Sequence, residues 1–95
     1  MFLLIARFTV PPALLAEQTA AHQAWVSEHA LAGHFVAGGT EVPYQGAVIA
    51  AVDVTREELA AWVREDPFVV HGFVEYDVRE YEVVLAAPGA EALAG

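Results

Sequence analysis

A chain of 95 residues has room for one domain. Its 13 Asp and Glu stand against four Arg and no Lys; the resulting net charge of −9 excludes the basic surface that nucleic acid requires and makes an anionic membrane a poor partner. Cysteine is absent, which excludes a disulfide scaffold, a thiolate nucleophile and cysteine metal ligands, and is compatible with a cytoplasmic location.

The opening MFLLIARF predicts a strand covered on both faces, with Phe2, Leu4, Ala6 and Phe8 on one side and Leu3, Ile5 and Arg7 on the other. The apolar run is too short to span a membrane and lacks the leading positive charge of a signal peptide. Pro11 and Pro12 end the strand and suit a helix entrance. Residues 13–32, rich in alanine and free of Gly and Pro, predict one helix stopped by Gly33. HFVAGG reads as a short strand, TEVPYQ as a loop, and residues 46–54 as an apolar strand. Thr55 and Glu58 form a capping-box pattern opening a helix over 56–64, with Leu59, Trp62 and Val63 on its apolar side and Pro67 beyond its end. The last strand is predicted from Gly72 to Leu85. Its apolar phase changes from Val74, Tyr76 and Val78 to Tyr81, Val83 and Leu85, which either a bulge near Arg79–Glu80 or a strand whose far half joins a different surface would permit. Residues 1–86 are thus expected to form the domain and residues 87–95 a flexible tail.

The order strand, helix, strand, strand, helix, strand is that of the α+β, ferredoxin-like βαββαβ unit, an antiparallel sheet with both helices on one face. The other face of the sheet needs a cover. With a hydrophobic fraction of 57%, pairing of two chains through their sheets is the simplest one, so a homodimer is expected.

Phosphate-loop and dinucleotide patterns are missing, and Ser27, the sole serine, has no nucleophile-elbow motif. The histidines are His22, His29, His34 and His71. His22 and His29 are seven residues apart, about 10 Å along a helix, too far to share one metal, so no metal site is expected. His22 sits among alanines with Trp25 and Val26 on the next turn. It reads either as a histidine covered by a fold or dimer contact or as a proton-transfer group in a cleft. Asp66, in REDPF at the end of the second predicted helix, reads either as a solvated helix stop or as the acceptor that fixes the His22 tautomer. His29, His34 and His71 are expected at the surface or a rim.

Taken in order, the hydrophobic first strand, His22, Gly38 with Gly39, Asp66–Pro67–Phe68 and Gly72 resemble the YCII-related family over roughly residues 1–86. The resemblance implies a dimeric α+β barrel and a site built on a histidine and an aspartate, the places taken here by His22 and Asp66. It also links the fold to elimination or isomerisation of small ring compounds. Two departures stand out. Pro43 is displaced in GGTEVP, and His71 stands where the family often has a small residue.

The expected activity is proton transfer in elimination or isomerisation of a small, partly apolar molecule, with His22 as the base and Asp66 orienting it. Trp25, Phe35 and Phe68 would wall the ligand. Arg7 would either meet a substrate carboxylate or developing enolate, or pair with an acid at the dimer edge. No metal or organic cofactor is required. The alternatives are a non-catalytic small-ligand-binding or accessory dimer, and a His22–Asp66 hydrogen bond that only holds the helices together.

Overall fold

The computed structural model describes residues 1–94; Gly95, the last residue of the expected tail, lies outside the described residues. The elements are β1 (Phe2–Phe8), α1 (Pro12–Leu15), α2 (Thr19–Leu31), β2 (Phe35–Thr40), β3 (Gly46–Ala51), α3 (Arg56–Glu65), α4 (Pro67–Val70) and β4 (Val74–Glu80), followed by a 3-10 turn over Glu91–Ala94. The strands form one sheet in the order β2-β3-β1-β4, every neighbouring pair antiparallel. This is the ferredoxin-like α+β arrangement, as expected from the element order.

Register decides which side chains meet the helices. Leu4 pairs with Ile49 on β3 and Val78 on β4, and Ala6 pairs with Ala47 and Tyr76. Because side chains alternate along a strand, these residues share the helix-facing side. Phe2, Leu4, Ile49 and Ala51 are buried there with Trp25, Phe35 and Leu59. Leu3, Ile5 and Arg7 take the other side, where Ile5 and Val48 are paired and both half-exposed.

Gly46 opens β3 opposite Arg7, with the β1 backbone tight against it. A Cβ there would lie 2.2 Å from the carbonyl oxygen of Ala6, a backbone atom that cannot swing aside. Gly46→Ala is therefore expected to cost about 3 kcal/mol, the upper end of overpacking penalties. The control is Gly39→Ala, where a Cβ meets nothing within 4 Å. Urea unfolding of the two variants checks this, and equal midpoints would contradict it.

Four expectations are corrected. The first predicted helix is two, α1 and α2, separated by Ala16–Gln18. The break lets Leu15 drop into a cluster with Phe68 and Val74, and the Thr19 hydroxyl donates to the Leu15 carbonyl at 2.9 Å. The strand expected over 46–54 ends at Ala51, and Asp53 turns the chain with φ 56°. β4 pairs without interruption as far as Glu80 and then ends, so no bulge is needed at Arg79–Glu80; the sheet's irregularity lies instead between Phe35 and Ala37 of β2. The chain after Pro67 is the short helix α4, not a direct lead into the last strand.

The capping box is present in full. The Thr55 hydroxyl accepts from the Glu58 amide at 3.1 Å, and the Glu58 carboxylate accepts from the Thr55 amide at 3.2 Å. No helix among the described residues is long and apolar enough to cross a membrane.

Candidate functional site

The segment Asp66–Pro67–Phe68 builds the floor of the site. Asp66 caps the end of α3 and opens α4. Proline at the first helical position loses no hydrogen bond and fixes φ, and the Asp66 carboxylate accepts the Phe68 amide hydrogen at 3.0 Å. The single turn of α4 closes on Gly72, whose φ of 72° allows the reversed bonds Phe73 N–H to Phe68 O (2.7 Å) and Gly72 N–H to Val69 O (3.0 Å). Phe68 is thereby held, buried, against the helix-facing side of the sheet.

His22, in the first turn of α2, lies flat on Phe68. The ring centroids are 4.0 Å apart and the planes 8° from parallel. Its Nδ1 donates to Asp66 Oδ1 at 2.7 Å. Asp66 is completely buried and is met by three donors: His22 Nδ1–H and the Phe68 amide on Oδ1, and the Tyr76 hydroxyl on Oδ2 at 2.7 Å. As a carboxylate Asp66 has no hydrogen to give, so Oδ1 can only accept, from His22 as from the Phe68 amide. That fixes the hydrogen of His22 on Nδ1 and leaves Nε2 as the lone-pair nitrogen.

Tyr76 comes from β4, on the side facing Ala6. Burial, then the nearby Asp66 charge and their hydrogen bond, push its phenol well above the ordinary range, so it remains a donor throughout the neutral and mildly alkaline range. An unfolded phenol loses its proton near pH 10, while the native one keeps it. The stability this contributes is fully present below about pH 10 and is lost as pH rises above it. The stability difference between wild type and Tyr76→Phe is expected to shrink above about pH 10. Urea titrations at pH 8 and pH 10.5 check this, and parallel behaviour of the two proteins would refute it.

The cavity beside this group has a volume of about 610 Å³ and lies between α2, α4 and the sheet. His22, Phe35, Phe68 and Tyr76 line it, with Gly38 and Gly39 at its β2 wall. Tyr44, from the β2–β3 loop, also reaches it, its ring 5.0 Å from that of Phe8. Of the residues singled out from sequence, His22, Asp66, Phe35 and Phe68 are thus brought together at or directly beneath one cavity.

Two others are placed elsewhere. Arg7 projects from the opposite side of the sheet, exposed and ion-paired with Glu75. Trp25 is buried in the main core, its indole N–H donating to the Trp62 carbonyl at 3.0 Å, and it does not line the cavity. His29, expected at the surface, is buried among Trp25, Phe35 and Trp62, because its position one turn after Trp25 faces α3. His34 is half-buried, with Nδ1 donating to the Val52 carbonyl at 3.2 Å, and His71 is exposed. Tyr76 is the site residue that sequence reading passed over. Its signal was a lone hydroxyl in the apolar set Val74, Tyr76, Val78. Among the described residues no group of three or more His, Cys, Asp or Glu is placed to hold a metal ion.

The geometry can be compared with known proteins. The solved structure of 5-chloro-2-hydroxyhydroquinone dehydrochlorinase (TftG) from Burkholderia phenoliruptrix AC1100, in complex with 2,5-dihydroxybenzoquinone, aligns with a TM-score of 0.64 and 24% identity, covering 85% of this chain and 93% of that one. At that identity the likeness is one of fold. Comparison with curated proteins gives no match. The family model of the YCII-related domain matches residues 1–82. Spanning most of its length and joining its first strand to its last, that match establishes that the chain belongs to the YCII-related family.

Proposed function

We propose that this protein is a small enzyme that moves a proton in the elimination or isomerisation of a small, partly apolar molecule. The observation that carries the reading is the His22–Asp66 contact of 2.7 Å at a cavity of about 610 Å³. With Nδ1–H committed to Asp66, the basic Nε2 is left for a ligand. In an elimination His22 takes a substrate proton, the electron pair so released expels the leaving group, and Asp66 stabilises the imidazolium that forms. Phe35 and Phe68 wall the ligand. The fold likeness to a dehydrochlorinase favours elimination over isomerisation.

The working form is proposed to be a homodimer paired through the sheet side that carries Leu3, Ile5 and Val48. Sedimentation at micromolar concentration is expected to give twice 10.2 kDa; the monomer mass would count against it. The reaction is tested by chloride release from 5-chloro-2-hydroxyhydroquinone and other chlorinated hydroxyquinols, with wild type against His22→Gln. Release by wild type and its loss in the variant is expected; equal rates would overturn the proposal.

One observation favours a second reading, a structural pair in a binding protein. Asp66 is wholly buried and joins α2, α4 and β4 through its three bonds. The same His22 variant separates the two readings.

A further inference from the structure

The chain has four Arg and 13 Asp and Glu, yet none of them is among the described residues lining the cavity beside His22. The arginines are all engaged or exposed elsewhere. Arg7 pairs with Glu75, Arg56 with Glu80 and Arg79 with Asp77, and Arg64 is exposed at the end of α3. The one lining group able to carry positive charge is His22, and it is already matched to a buried carboxylate. The polar lining is instead a set of neutral hydroxyls and an amide: Thr19, Gln23, Ser27, Thr40, Tyr44 and Tyr76. Thr19 and Tyr76 already donate to the Leu15 carbonyl and to Asp66 and offer a ligand an acceptor, while Gln23, Ser27, Thr40 and Tyr44 both donate and accept.

We propose that the cavity takes an uncharged, hydroxyl-bearing ring and rejects its carboxylated counterparts; this rests on reading His22 as the base of the site. An anion entering here leaves water with no cation to meet it, beside a buried carboxylate and in a chain of net charge −9. A neutral ring meets no such penalty. Its faces pack on Phe8, Phe35 and Phe68, and its hydroxyls replace water at the neutral lining. The volume suits one substituted ring, within the roughly 300–1,000 Å³ usual for small-ligand sites. Arg7, the residue that would have answered a carboxylate, is on the other side of the sheet.

The test uses two probes of equal size that differ by one charge, 2,5-dihydroxybenzamide and 2,5-dihydroxybenzoate. Each is titrated into ¹⁵N-labelled protein at pH 7 while the α2 and β2 amides are followed. The benzamide is expected to bind tighter by about tenfold or more. Gln23→Arg, an exposed position on the cavity rim that tolerates a long side chain, is expected to bring the two affinities together or reverse them. Equal or tighter binding of the benzoate by wild type, saturable binding of neither probe, or an unchanged ratio in Gln23→Arg would each overturn the proposal. Selective binding without chloride release from any chlorinated analogue would leave the ligand class standing and remove the elimination reading.

Discussion

Asp66→Ala is expected to lower the unfolding free energy by about 2–4 kcal/mol, the cost of leaving one buried amide and two partly covered donors without their acceptor. The carboxylate is fully buried and accepts three hydrogen bonds. Alanine leaves the Phe68 amide, the His22 Nδ1–H and the Tyr76 hydroxyl without their acceptor, and an unmet buried donor costs about 1–3 kcal/mol. The losses do not simply add, because His22 and Tyr76 are only partly covered and can turn to water. The N-terminal cap of α4 goes as well, about 1 kcal/mol by itself. Asp66→Asn is the informative partner. Its amide oxygen can still accept from His22 and Phe68, and the Tyr76 hydroxyl can rotate to accept from the amide nitrogen, so most of the stability should survive. Urea unfolding at pH 7 decides the matter: a cost below about 1 kcal/mol for Asp66→Ala would mean the three bonds do not hold the site together.

His22→Gln is expected to reduce turnover by about 10²–10⁴-fold, the contribution of a positioned general base. Glutamine retains an N–H that can donate to Asp66, so the bond between α2 and Asp66 can be kept while the basic nitrogen is lost. A structural pair would therefore be restored by glutamine and impaired by alanine, in activity and stability alike. A catalytic pair would be restored in stability only. The variant also removes the 4.0 Å stack on Phe68, so stability must be measured beside the rate. Chloride release under single-turnover conditions, together with urea midpoints for His22→Gln and His22→Ala, separates the two outcomes.

Much of the fold was legible because it rests on local signals. The capping box at Thr55 and Glu58, the alternation of Val74, Tyr76 and Val78, and the apolar first strand each act within a few residues, where pattern and propensity apply. The helix break at Ala16–Gln18 was hidden for the opposite reason. An alanine-rich segment favours an unbroken helix, and the break is compensated by burying Leu15 against Phe68 and Val74, more than 50 positions along the chain. The end of β4 was hidden in the same way. A strand stops where its partner β1 has no more residues to offer, whatever alternation continues in its own sequence.

By itself, then, the sequence determined the order of the four strands and the two main helices, the acidic balance, and the two residues around which a site was expected. Only the tertiary structure decided which groups meet. It buried Asp66 and brought it to 2.7 Å from His22, 44 positions earlier, adding Tyr76 as a further donor. It also placed Arg7 behind the sheet, Trp25 in the core, and a lining without formal charge at the cavity. The physical reason is register. In a sheet a side chain's face changes with every residue, so which polar group shares a cavity with His22 depends on strand pairing across the whole chain.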